Sequence, residues 1–70
     1  MNRNALRGKI VEHGMTIGEF CNVAGFARAT FDRKLNGKLE FNRDEMERIM
    51  TILSLNAEEM RNIFFPENVA

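Results

Sequence analysis

Seventy residues allow one small domain, spanning residues 1–70. Ten Lys and Arg balance ten Asp and Glu, so the chain-wide basic excess usual in a nucleic-acid binder is absent. One cysteine, Cys21, and one histidine, His13, exclude an internal disulfide framework and a four-ligand Cys/His zinc site, and no apolar run is long enough to span a membrane.

Helical spacing dominates from the start of the chain. Leu6, Ile10 and Val11 make a first apolar stripe that ends at His13–Gly14, where a histidine favourably meets the helix dipole. Thr16-Ile-Gly-Glu19 has capping-box spacing and opens a second helix with the stripe Phe20, Val23 and Ala24, stopped by Gly25. Ala27 to Leu35 is a third helical run, with Phe31 and Leu35 on one face and Asn36–Gly37 closing it. Asn42-Arg-Asp-Glu45 repeats the capping spacing before Met46, Ile49, Met50 and Leu53. Asn56-Ala-Glu-Glu59 does so again before Met60, Ile63 and Phe64, with a stop at Pro66. No window alternates with period two for long, so strands are not expected. The fold class is all-α: five short helices joined by tight turns. A core this small leaves self-association as an additional source of stability.

The zero net charge is a cancellation between two halves. Residues 1–38 carry Arg3, Arg7, Lys9, Arg28, Arg33, Lys34 and Lys38 against Glu12, Glu19 and Asp32. Residues 39–70 reverse the balance, with Arg43, Arg48 and Arg61 against Glu40, Asp44, Glu45, Glu47, Glu58, Glu59 and Glu67. Such a chain can offer a basic face to a polyanion while neutral overall.

Catalytic chemistry has little to stand on. Cys21 falls beside an apolar face, where a small buried thiol is the default, and His13 serves a helix end. Gly37–Lys38 is not a phosphate loop, because Asp32 stands at the required glycine position and Leu39 follows the lysine. Glu58–Glu59 reads as cap chemistry rather than an acid–base pair. No enzyme, catalytic residue, cofactor or metal site is expected.

The two helices around Gly25 carry more information. A glycine in a three-residue turn between short helices is the helix-turn-helix arrangement. The second helix presents Arg28, Ala29, Asp32 and Arg33 on one face, opposite Phe31 and Leu35. Arg offers a fork to guanine O6 and N7, and Asp accepts from cytosine N4. Recognition chemistry thus lies on the face turned away from the core.

From Leu6 to about Phe64 the sequence resembles the lambda-repressor-like (Xre/Cro/CI-type) helix-turn-helix domains of phage and bacterial regulators. The resemblance rests on Thr16 with an acidic residue three positions on, the apolar-small pair Val23–Ala24, the turn glycine, the polar recognition helix at about 27–35 and the closing Asn36-Gly37-Lys38. It implies that Arg28, Ala29, Asp32 and Arg33 face base edges in the major groove. It implies phosphate contacts from Thr16, through its backbone amide, and from Thr30, Lys34, Asn36 and Lys38. The implied partner is a double-stranded, two-fold symmetric operator bound by a homodimer. Ile63, Phe64 and Phe65 are the expected dimer surface. Four positions depart from the family: Ile17 replaces a phosphate-binding Gln, Ala27 a capping residue, Lys34 an apolar one, and Cys21 a small alanine at the helix crossing, an exchange between compact residues.

The resulting expectation is a small transcriptional regulator, repressor or Cro-like, that binds DNA by sequence. The rival expectation is a protein-interaction module on the same fold (an antitoxin, anti-repressor or adaptor) using the acidic second half. The mixed polar sequence after Asn2 and Arg3 shows no signal peptide, so the expected location is the cytoplasm.

Overall fold

The computed structural model describes residues 1–66. Five helices follow in chain order: α1 (Arg3–Glu12), α2 (Ile17–Ala24), α3 (Arg28–Leu35), α4 (Arg43–Ile52) and α5 (Ala57–Phe64). No strand occurs among the described residues, and none of their helices is long and apolar enough to cross a membrane.

Local chemistry starts most of these helices. Thr16, Asn42 and Asn56 each accept a hydrogen bond from the N3 amide, while Glu19, Glu45 and Glu59 each accept one from the cap amide. Three reciprocal capping boxes therefore open α2, α4 and α5, as the spacing predicts. Asn2 caps α1 by accepting from the Ala5 amide at 3.1 Å, a cap the apolar pattern alone does not reveal. Ala27 opens α3 with no side-chain bond, so that helix starts uncapped. At the far end of α1, His13 donates from Nδ1 to the Lys9 carbonyl at 3.0 Å, which satisfies one terminal carbonyl.

The helices close over a single apolar core. α1 packs on α2 and α5, and α2 also packs on α3 and α4. Leu6, Ile10, Phe20, Phe31, Ile49, Leu53 and Ile63 are almost completely buried. Phe31 lies at the centre of an aromatic cluster, with ring centroids 5.7 Å from Phe20, 5.3 Å from Phe26 and 5.8 Å from Phe41. Met46, Met50 and Met60 fill partly buried gaps at its edge. Two residues of the apolar stripes lie outside the core. Val11 is 68% and Val23 63% exposed, because Leu6 with Ile10, and Phe20 with Cys21 and Ala24, already fill the inward faces.

Candidate nucleic-acid interface

The α2–α3 pair is built around Gly25. Its φ of 76° lies in the left-handed region, which a side chain disfavours. The amides of Gly25 and Phe26 both donate back to the Cys21 carbonyl, ending α2 sharply. Phe26 then turns inward, buried against Phe31 and Phe41. This side chain fixes the turn to the core, and α3 begins two residues later.

Arg48, on α4, clamps the same turn. Its guanidinium donates to the Ala24 carbonyl at 2.5 Å and lies 5.3 Å above the Phe26 ring. Sequence reading passes over Arg48 because its partners lie 22 and 24 positions away and its own helix gives it a solvent-facing register.

On α3 the apolar residues go inward and most of the polar ones outward. Phe31 is fully buried and Leu35 nearly so. Arg28, Ala29 and Arg33 are exposed, and Asp32 is partly exposed beside them. Arg28 Nε donates to Asp32 Oδ1 at 3.2 Å, so two of the four residues expected at base edges form a pair. Thr30 is half-buried on the flank of the helix.

The expected phosphate set is altered by the fold. Lys34 is turned inward: its ammonium is bound by both carboxylate oxygens of Glu45, lies 5.9 Å from the Phe41 ring centroid, and only 12% of its side chain is exposed. It joins α3 to α4 and is not presented to a phosphate. The Thr16 amide donates to Glu19 Oε1 at 2.9 Å, which removes the donor expected to meet a phosphate. The N–H groups of Ile17 and Gly18, at the first two helical positions, are the ones without an intrahelical acceptor. Asn36 remains exposed, and its Oδ1 accepts from Arg3 Nη1 at 2.9 Å. Lys38 is exposed just beyond Gly37, and its amide is anchored on the Arg33 carbonyl at 2.8 Å.

Arg3 is a second residue that pattern alone does not bring to the site. The fold carries the first turn of α1 to the last turn of α3. The Asn2 amide donating to the Ile63 carbonyl, at 2.6 Å, helps to hold that end in place. One sequence signal exists, a cation in the first turn of a helix, where the dipole disfavours it.

Pairing sorts the remaining charges. Lys9 binds Glu59 on α5 and lies 3.6 Å from Glu12. Among the described residues, Arg3, Arg7, Arg33 and Lys38 have no carboxylate within salt-bridge distance and are exposed. These four, with Arg28, are the basic groups of the first half left at the surface.

The C-terminal set also divides. Ile63 and Phe64 are 2% and 8% exposed within one chain, so they belong to its own core and not to a surface for a second copy. Phe65 is exposed. With Met1, Leu39, Phe41 and Met46 it lines a groove of about 470 Å³ beside the α3–α4 loop. Cys21 is buried, and burial pushes its thiol above the ordinary value, which disfavours the reactive thiolate.

Residues 2–67 match the family described as Protein of unknown function (DUF739). The chain belongs to that family. No curated protein and no solved structure matches it. In this DUF739 member the exposed residues of α3 follow the Gly25 turn, Arg3 meets Asn36 just after the last turn of that helix, and Lys38 lies exposed two residues further on.

Proposed function

We propose that the protein binds double-stranded DNA by sequence, as a small transcriptional regulator of the lambda-repressor-like type. In this reading α2 and α3 are a helix-turn-helix and α3 enters the major groove. The observation that carries the reading is the outer face of α3. Ala29 and Arg33 stand exposed opposite Phe31 and Leu35, which are locked in the core, and Arg28 stands exposed at the first helical position, directly after a turn fixed by Gly25 and Phe26. Arg3, Asn36 and Lys38 flank its end and fit the phosphates on one side.

One short recognition helix reads few base pairs, so two copies would bind together on a two-fold operator. Phe65 is the exposed member of the C-terminal set available to such a pair. The interaction-module reading draws less support, because Glu45 and Glu59 in the acidic half are committed to caps and to Lys34 and Lys9.

Selection of bound duplexes from a random pool tests the proposal. The expected product is a two-fold symmetric consensus whose binding weakens steeply with salt. Arg28→Ala and Arg33→Ala should each lower specific affinity by about 1–3 kcal/mol, and Lys38→Ala should weaken all duplexes alike and reduce the salt slope by about one. Equal retention of every duplex, or no binding at low salt, would falsify it.

A further inference from the structure

On α3, Arg28 is the first helical residue and Asp32 stands one turn later. Arg28 Nε donates to Asp32 Oδ1 at 3.2 Å. The guanidinium has a second support. Its Nη1 lies 3.5 Å from the point where a Cβ on Gly18 would stand, so the head rests against the first turn of α2 where no side chain intervenes. A pair of the same spacing on α4 gives the contrast. There Arg43 and Glu47 are 88% and 59% exposed, against 58% and 45% for Arg28 and Asp32. The α4 pair is a solvated contact between two exposed side chains. On α3 the arginine is held from one edge by a carboxylate and from another side by a neighbouring helix.

The chemistry of the free edge follows from which nitrogen is occupied. With Nε donated to Asp32, the two terminal amino groups remain as a parallel fork. That fork matches the O6 and N7 acceptors of guanine. An arginine free at a polyanion's surface is drawn to any phosphate in reach. One already paired with a carboxylate keeps its fork while carrying less net attraction for the backbone. An aspartate left alone in the major groove would instead accept from cytosine N4, and would be repelled by phosphates.

We propose that Asp32 is a positioning residue: it holds Arg28 end-on to a guanine, and the two side chains read one base pair of each half-site as a unit. This inference rests on the DNA-binding reading and deepens it. Asp32 thereby does two things at once. It sharpens the preference for guanine at the position Arg28 reads, and it lowers attraction to DNA of arbitrary sequence.

The test uses the full chain and fluorescently labelled duplexes. The selected consensus is compared with its single-base substitutions and with random-sequence DNA, for the wild type, Arg28→Ala, Asp32→Asn, Asp32→Glu and the Arg28→Ala/Asp32→Asn double variant. Thermal unfolding of each variant serves as the folding control, since both positions are partly exposed. The expected result is that Arg28→Ala and Asp32→Asn relax the same base pair. The guanine preference there falls about tenfold or more in either, and the double variant loses no more than Arg28→Ala alone. Asp32→Asn should also bind random DNA more tightly than the wild type, and Asp32→Glu should restore part of the preference. Relaxation at two different base pairs, or losses that multiply in the double variant, would make Asp32 an independent reader and overturn the proposal. An unchanged preference in Asp32→Asn would overturn it as well, while DNA binding itself stood. A wild type that prefers no duplex would overturn both the inference and the function on which it rests.

Discussion

At the scale of single residues, the α2–α3 turn depends on Gly25 and Arg48 together. Gly25 is demanded locally by its φ of 76°, and a Cβ there would also lie 3.3 Å from Arg48 Nη1. Gly25→Ala should therefore cost about 1–2 kcal/mol from the left-handed backbone alone. Arg48→Ala removes the bond to the Ala24 carbonyl and the cation over Phe26. It should cost about 1–3 kcal/mol, seen as a fall in melting temperature of roughly 4–8 °C per kcal/mol. Because the turn sets the attitude of α3, specific DNA affinity should fall further than random-DNA affinity in the same variant. An Arg48→Ala protein that melts like the wild type would show that Phe26 alone fixes the turn. Gly25 is legible in the sequence, since a glycine between two helical runs marks the left-handed residue that ends the first of them. Arg48 is not, because its partners are supplied by a different helix.

At the scale of elements, helix beginnings are the most legible feature of the chain. Three capping boxes each join residues three apart, and so Thr16, Asn42 and Asn56 announce α2, α4 and α5 without tertiary information. The exception is informative. α3 starts at Ala27 without a capping side chain and carries no acidic residue in its first turn. It holds its place through Phe31, Leu35 and the Lys34–Glu45 pair. Ala27→Ser should accordingly stabilise the protein by about 1 kcal/mol and raise its melting temperature by roughly 4–8 °C. Calorimetry checks this, and an unchanged transition would mean that the first α3 amides already have acceptors. Side-chain direction within an element is less legible. Lys34 illustrates why: its length lets it reach Glu45 while its ammonium lies over the Phe41 ring, so a residue that reads as surface becomes part of an interface between helices.

At the scale of the whole molecule, the opposed charges of the two halves meet where helices pack together. Lys9 joins Glu59 between α1 and α5, and Lys34 joins Glu45 between α3 and α4. Of the basic groups in the first half, Arg3, Arg7, Arg28, Arg33 and Lys38 remain exposed. The pairs also give stability a pH dependence. Burial raises the Glu45 carboxyl, but the Lys34 ammonium, the Asn42 amide and the nearby Arg48 outweigh it and hold the group below its ordinary value of 4.5. Glu59 is likewise held below 4.5, chiefly by the Lys9 ammonium and also by the Asn56 amide. A carboxyl depressed in the folded state binds fewer protons there than in the unfolded chain. Its contribution is present above about pH 4.5 and is lost as pH falls through the depressed folded-state values. Denaturation midpoints should therefore drop as the solution is acidified from neutrality through this range, and the drop should shrink in Lys34→Met, where Glu45 loses its main partner. Equal pH dependence in the two proteins would place the acid sensitivity elsewhere.

The sequence by itself determined the five helices, most of their starts, the inward place of Phe31 and the polar outer face of α3. Each of these depends on residues within one or two helical turns, where spacing and capping chemistry act directly. Only the tertiary structure decided which charged side chains remain at the surface. Lys34 and Lys9 are drawn into pairs, Ile63 and Phe64 belong to the chain's own core, and Arg3 arrives beside Asn36. The physical reason is distance: an ion pair or hydrogen bond between helices forms only where packing brings its partners within about 4 Å, and packing is a property of the whole chain. The zero net charge is the clearest case. Read along the chain it is two opposed halves, and in three dimensions it is two pairs between helices and five basic side chains left at the surface.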